Sequence, residues 1–587
     1  MKTRRKAQKG NVNNNAETSD RRAFIGRLGM TAAAATIATM PFAGGRASEA
    51  EAAGNSNTPG RMNDCFAYRR DAAIASRVNV GPQKDNGDAA RFTDFSGNFS
   101  KALQHDALGI PNAAAFQSLR TAMASGRQSD FAAIIVGTPG GGGNSKLNGP
   151  QGAIAFDLEG MDSHATVIPP APSVASAQTA AELVEHYWGA ILRDVPFSEY
   201  ATNVLVGQAI DDLNAMSFFA SAANTECPYP ITRQNLFRGQ FTVGDGNVKG
   251  PYLSQFLVQP TSYGAHPFDQ RYQTHLPIGS GGSDYMTSVS EFQTIQNGGE
   301  SDQAIAFDPD RKYLRSGRDL AAYTHVDVLF QAYFVAFLVL SDLGAPLNPG
   351  NPYIGSRTEK AFGTLGGPDA AGTLAEMATR ALKASWYHKW IKDLRQRPEE
   401  VAALVHARLT GTSPMPQAAA ALHPDVLNST ALPIINSAHG SYLLPQAFPE
   451  GSPTHPCYPT GHGTVGGACI TVLKFFFDGS HKLRPLLTAA GRVVSEPSAD
   501  GTSLDPYSGA DAGDLDIDGE LNKLCWNIST GHGIHAGIHF RSSTYWSILL
   551  GEQVALAMLQ ERAGSYNEPF TISIRKFDGT TGTITNQ

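Results

Sequence analysis

The segment RSGRDLAAYTHVDVLFQAYFVAFLVLSDLG, residues 315–344, limits the fold more than any other. It reads as helix, and toward its end it is apolar on nearly every face. Such a helix has no solvent side, so it belongs at the centre of a core, surrounded by other elements. Further stretches read as helices that can do this. They are AGTLAEMATRALKASWYHKWIKDLR (371–395), closed off by Pro398, then TVGGACITVLKFFFDG (464–479) and STYWSILLGEQVALAMLQERAG (543–564). Residues 169–200 add a proline-rich turn, a Ser/Ala helix start and an amphipathic helix. Strand signals are rare. The clearest, FTISIRKFDGTTGTITNQ, predicts a hairpin turning at Asp578-Gly579. The expected class is mainly α: two helix bundles with a small C-terminal β-hairpin. The 60 glycines and 35 prolines, with a flexible stretch near 138–152, imply long loops between the helices.

Three regions are expected. Residues 54–315 form an N-terminal helical region, and residues 316–587 a C-terminal helical bundle. Residues 1–53 are set aside as a leader. There, Arg21-Arg22, Phe24-Ile25 and an Ala-rich run stand in the order of a twin-arginine export signal, which the leader resembles. Asp20 replaces the usual Ser or Thr, and ASEAEAA offers small residues for cleavage. A periplasmic or secreted protein is expected. No other stretch is long and apolar enough to span a membrane. A net charge of −7 gives no reason to expect a nucleic-acid partner. Five scattered cysteines lack any CxxC spacing, so neither a zinc site nor a dense disulfide framework is indicated; one disulfide remains open.

Chemistry concentrates in three C-terminal segments. In SPTHPCYPTGHGTVGGAC, Thr460, Gly461 and His462 directly precede a helix. A helix start offers unpaired N–H groups and the positive dipole end. Thr460 adds a hydroxyl, and His462 is placed to exchange protons with a bound group. Four glycines in 461–467 let a ligand approach the backbone. This is an oxyanion cradle, or else an ordinary glycine-rich helix start. In WYHKWIKDLRQRPEE, Lys389 and Arg397 are eight residues apart. On one helix that is a rotation of ~80°, so both reach one pocket. Lysine supplies a point charge and arginine a planar fork for a tetrahedral oxyanion. In STGHGIHAGIHFRSS, His532, His535 and His539 are spaced to share a helical face. No HExxH glutamate or cysteine ligand accompanies them, which argues against zinc. DAGDLDIDGELNKL begins like a calcium loop, but Cys525 stands where the bidentate Glu is required, so it is expected to be a solvated acidic turn.

Together these segments resemble the vanadium-dependent haloperoxidases, in the branch of bromo- and chloroperoxidases, whose pocket is related to that of the acid phosphatases. The resemblance rests on Lys389 with Arg397-Pro398-Glu399, on SPTHPCYPTGH, and on GIHFR, with FPEGSPTHP and GELNKL flanking them. It runs from about residue 60 to the end. It implies vanadate as cofactor, with hydrogen peroxide, a halide and a small organic molecule as reactants, and at least a dimer. It implies that His539 bonds vanadium axially and that Lys389 and Arg397 hold its equatorial oxygens. Gly461 adds a backbone N–H and Thr460 a hydroxyl. His462 is the acid/base group, and His455 assists halide or proton traffic.

One position departs from the family pattern. A second arginine is usual six residues before the axial histidine. Here Gly533 stands there, or His532 if one residue is inserted. His532, when protonated, is expected to fill the gap weakly. Arg541 matches a later, structural arginine. Other readings stay open on the same scaffold: a vanadate-independent rearrangement or cyclisation enzyme with His462 as base, a phosphomonoesterase with His539 as nucleophile, or an oxyanion-binding protein without turnover.

Overall fold

The computed structural model describes residues 58–586, except 78–79, 138–145, 222–223, 225, 228 and 242–245. The leader, and part of the glycine-rich stretch at 138–152, lie outside the described residues. The fold is mainly α, with only two-stranded sheets beside the helices. Helices α1 (Ala177–Ile191), α2 (Gly317–His325), α3 (Gln331–Asp342), α4 (Gly367–Tyr387), α5 (Pro398–Thr410), α6 (Gly461–Phe476), α7 (Ile517–Thr530) and α8 (Arg541–Ala563) build the surroundings of the site. The C-terminal hairpin pairs β1 (Thr571–Arg575) with β2 (Thr581–Thr585). It turns where expected, with Gly579 at φ 80°.

Two apolar cores organise these helices. One gathers α3, α4, α6, α7, α8 and the hairpin around residues such as Leu340, Leu374, Ile470, Leu524 and Ile548. The other joins α1 and α5 to the 426–443 segment through Leu183, Trp188, Leu404 and Leu432. Both draw on residues from either side of position 315: Phe256 and Leu257 lie in the first core, Leu404 and Leu432 in the second. Among the described residues no helix is long and apolar enough to cross a membrane.

The contact between α6 and α8 is unusually close because it is made by glycines. A Cβ added at Gly467 would lie 2.0 Å from the Ile548 carbonyl oxygen, and one at Gly551 2.0 Å from that of Thr464. Gly463 and Gly466 are equally confined, by Ser547 Oγ and by Tyr333 Oη. Three of the four glycines in 461–467 therefore serve helix packing rather than ligand approach. Only Gly461, whose added Cβ would meet nothing nearer than 3.4 Å, is free for that.

Several expected helices break, and each break brings a residue to the candidate site. The long segment 315–344 is two helices, not one. Ser316 caps α2 by accepting from the Asp319 N–H. The chain then leaves the helix at Val326 and resumes at α3. The residues between include Asp327, which is drawn into a hydrogen bond with His462. The helix at 371–395 runs as α4 to Tyr387, continues as a π turn over His388–Asp393, and stops at Leu394 in the left-handed region (φ 43°). Lys389 and Arg397 thus do not share a helix. Lys389 lies in the π turn, and Arg397 is the residue before α5, which starts on Pro398 with its preset φ.

After α7, residues Gly531–His535 form a second π turn, and Gly537 at φ 87° ends the helical path before His539. The three histidines therefore do not lie on one helical face. The acidic turn before α7 is only partly solvated. Asp516 caps α7 by accepting from Gly519 N–H, while Asp518 and Glu520 are buried. Among the described residues no group of three or more His, Cys, Asp or Glu is placed to hold a metal ion. All five cysteines are free thiols.

Candidate functional site

The site forms where the π turn after α4, the residue before α5, the loop 455–460 with the start of α6, and the loop at 538–539 meet. Lys389 is fully buried, and its Nζ donates to the carbonyls of Pro456 (2.7 Å) and Cys457 (3.1 Å). Arg397, also fully buried, donates from Nε to His455 O (2.7 Å) and from Nη1 to Ile538 O (2.8 Å). Its Nη1 further reaches His539 Nε2 at 2.9 Å, and Nη2 reaches His455 Nδ1 at 2.8 Å. One guanidinium thus ties together three segments that are far apart in sequence.

The start of α6 closes the pocket. Thr460 has the extended backbone of a helix cap (φ −71°, ψ 131°) but makes no side-chain cap bond. Its Oγ1 is buried with no hydrogen-bond partner. The first-turn N–H groups of α6 have no intrahelical acceptor. The preceding loop is fixed by Thr460 N donating to Ser543 O (3.1 Å) and by Ser385 Oγ donating to Pro459 O (3.3 Å).

His462 projects from the first turn and shares a hydrogen with Asp327 Oδ1 across 2.8 Å. Its ring is stacked on His532, 3.6 Å between centroids, and His532 is in turn 5.9 Å from His539. Trp386 lies against His455, 4.7 Å between centroids. The six expected side chains Lys389, Arg397, His455, His462, His532 and His539 therefore converge on one pocket with Thr460 and Gly461. His535 does not join them. Its Nε2 meets Tyr252 Oη at 3.2 Å, and it is ringed by Phe197 and Phe237. Arg541 is structural, as expected: it is buried in an ion pair with Glu185 and donates to Arg238 O at 2.8 Å.

The π turn after α7 separates the surroundings of Gly533 and His532. A π turn is how a helix absorbs one extra residue. Here it directs His532 into the pocket, while Gly533 packs behind His539, where an added Cβ would meet His539 O at 3.1 Å. Burial, then His462 and Arg397, hold the His532 pKa well below the ordinary histidine value, which favours the neutral ring in the free site. Burial, then Arg397 and Lys389, do the same to His455 and His539. Lys389 is pushed well below the usual lysine range by burial, then by Arg397.

Two residues in contact with the site's histidines escaped the sequence reading. Asp327 orients His462; its only local signal is one carboxylate inside the apolar run HVDVLF. Cys457, whose sulfur is 3.4 Å from His539 Nδ1, carries no local signal.

This arrangement fits a tetrahedral oxyanion. Neither Lys389 nor Arg397 forms an ion pair among the described residues, although both are buried. Buried cations need a counter-charge. The orphaned Thr460 hydroxyl at the α6 N-terminus adds a buried polar group with no partner in the chain. The fold and pocket thus define a helical oxyanion-binding enzyme scaffold.

Comparison with known proteins carries this to a family. The chain is 33% identical over 571 residues to the vanadium-dependent bromoperoxidase of Corallina officinalis, covering 85% of this chain and 92% of that one. The corresponding protein of Corallina pilulifera gives the same figures. That of Ascophyllum nodosum is 32% identical over 537 residues, covering 88% and 91%. The structure of a second vanadate-dependent bromoperoxidase of Ascophyllum nodosum, described as homohexameric, superimposes with a TM-score of 0.80 at 28% identity, over 90% of this chain and 91% of that one. No family model matches the chain. At this identity and coverage, the chain belongs to the vanadium-dependent haloperoxidase family.

Proposed function

We infer that this protein is a haloperoxidase that uses vanadate to oxidise a halide with hydrogen peroxide, releasing a hypohalous-acid equivalent that halogenates small organic molecules. When bound, vanadate supplies a Lewis-acid centre that takes up peroxide and makes it electrophilic toward halide. The chain's own residues hold the cofactor and move protons. His539 Nε2, which accepts from Arg397 in the free site, would turn that lone pair to vanadium as Arg397 turns to the cofactor's oxygens. Lys389 and Arg397 neutralise the oxygens, assisted by the Gly461 N–H and the Thr460 hydroxyl. His462, held in orientation by Asp327 across 2.8 Å, accepts the peroxide proton and returns it later. His455, in contact with Arg397 and Trp386, lines the approach for halide or protons. His532 takes the place of a second arginine.

The observation that carries this reading is the pair of buried cations without carboxylate partners, together with an orphaned hydroxyl at the start of α6. Its test is direct. Purified protein, stripped by dialysis, is loaded with orthovanadate and given peroxide, bromide and a phenol-type dye between pH 5 and 8. Vanadate-dependent bromination is expected; its absence throughout that range sinks the reading. We further propose a homo-oligomer, in line with the homohexameric relative, and export guided by Arg21-Arg22. Light scattering of the purified protein tests the first. Retention in the cytoplasm of an Arg21→Lys, Arg22→Lys variant tests the second.

A further inference from the structure

The two ring nitrogens of His539 have different partners. Nε2 lies 2.9 Å from Arg397 Nη1. A guanidinium only donates, so Nε2 is an acceptor and the ring hydrogen belongs on Nδ1. Nδ1 faces the Cys457 sulfur at 3.4 Å. That sulfur is firmly placed. Cys457 is fully buried, its N–H donates to Arg395 O at 2.9 Å, and its carbonyl accepts from Lys389 Nζ at 3.1 Å. On its far side Ser543 Oγ lies 3.5 Å away. Arg395 Nη1 donates to that same oxygen at 3.2 Å, so the Ser543 hydroxyl is free to turn toward sulfur or to accept from it.

We propose that Cys457 is a positioning residue for the cofactor bond: its sulfur accepts the Nδ1 hydrogen of His539 and holds that tautomer when Arg397 releases the Nε2 lone pair to vanadium. The second nitrogen of a metal-bound histidine is ordinarily held by an oxygen acceptor, which fixes the ring and makes it more basic. Sulfur is a weaker acceptor. It fixes the tautomer while leaving the imidazole a softer donor. The proposal rests on the assignment of His539 as the vanadium ligand, but half of its test does not.

The free protein, labelled with 15N in its histidine rings, reports the tautomer of each ring by long-range nitrogen–proton correlation. The His539 signals are identified by their loss in His539→Gln. In wild type His539 is expected as the Nδ1–H tautomer. Arg397 alone would also favour that form, so the comparison is made on Arg397→Met, where the Nδ1–H form should persist, as it should with Cys457→Ser added, whereas adding Cys457→Ala should give a mixture. An Nε2–H tautomer in wild type, or a tautomer left unchanged when Cys457→Ala is added to Arg397→Met, overturns the proposal whether or not vanadate binds. Vanadate titration then reads the consequence. Cys457→Ala should bind about tenfold more weakly, the low end for loss of such a partner, with a displaced 51V resonance. Cys457→Ser should bind at least as tightly as wild type. Equal weakening in both variants overturns the positioning role. Absence of vanadate binding in wild type, with the tautomers as expected, defeats the functional assignment and leaves the Cys457–His539 contact standing.

Discussion

Two groups of buried cations lie back to back in this molecule, and they are treated differently. Behind the pocket, Arg541 is paired with Glu185 and Arg395 with Glu182, all four nearly inaccessible. At the pocket, Lys389 and Arg397 are just as buried but have only carbonyls and histidines for company. The first group is complete: each guanidinium meets its carboxylate within the chain, and the pairs fasten α1 to α8 and to the 395 segment. The second group is incomplete in charge, not in hydrogen bonds. A buried cation without a counter-charge costs folding free energy, and a protein keeps one where something else brings the negative charge. The same residue type therefore marks architecture in one place and a ligand site in the other. What separates them is the carboxylate opposite.

The largest effect should come from breaking the complete group. Glu185→Leu leaves Arg541 buried and unpaired, for which about 3–5 kcal/mol of stability is ordinarily lost. Chemical denaturation should show this, and Glu185→Leu with Arg541→Leu should recover most of it. If Glu185→Leu is as stable as wild type, the network is not structural and the contrast fails. The incomplete group should behave in the opposite way. Lys389→Met removes a charge that has no counter-charge, along with two hydrogen bonds to buried carbonyls, so the free protein should lose much less stability than Glu185→Leu does. Oxyanion affinity should suffer instead, by about 10- to 100-fold for one charge-assisted contact worth roughly 1.5–3 kcal/mol. Calorimetric titration with vanadate and with inorganic phosphate measures this. A Lys389→Met variant that is destabilised yet binds normally would place Lys389 with the structural cations.

Much of this site was legible in the sequence, but for unequal reasons. Thr460-Gly461-His462 announce themselves because a helix start is a local feature, and the structure keeps it local. The hairpin is legible for the same reason: alternation and Asp578-Gly579 are contained within a few residues. Lys389 and Arg397 were placed in one pocket by helical spacing, which is not what brings them together. A π turn, a left-handed Leu394 and a new helix at Pro398 do that. The resemblance to a family carried the pairing where periodicity misplaced it. The break in the 315–344 segment was hidden by its own hydrophobicity, since the apolar pattern continues through Val326 and Val328 while the backbone turns out of the helix. Asp327 to His462 and Cys457 to His539 span 135 and 82 residues, and no local pattern encodes either contact.

His532 stands on the border between the two groups, and the smallest predicted effect concerns it. Its ring occupies the place of a second cation, against His462 and within the field of Arg397, yet it is neutral in the free site because burial and those neighbours depress its pKa well below about 6.5. An anion in the pocket favours the protonated ring and so raises that pKa. Affinity gained by protonation on binding appears only where the free ring is neutral and the bound ring is charged. The contribution of His532 to oxyanion binding should therefore grow as pH falls from the neutral range toward the depressed free-site pKa. His532→Arg carries its charge at every pH. It should bind vanadate about tenfold more tightly than wild type near pH 8, the lower edge of what a charge-assisted contact provides. The advantage should shrink as the medium is acidified. Taking the ratio of wild-type to variant dissociation constants at each pH cancels the titration of the ligand, which both proteins share. A ratio that does not change between pH 5 and 8 would show that His532 stays neutral with the anion bound. The pocket would then rely on Lys389 and Arg397 alone for its positive charge.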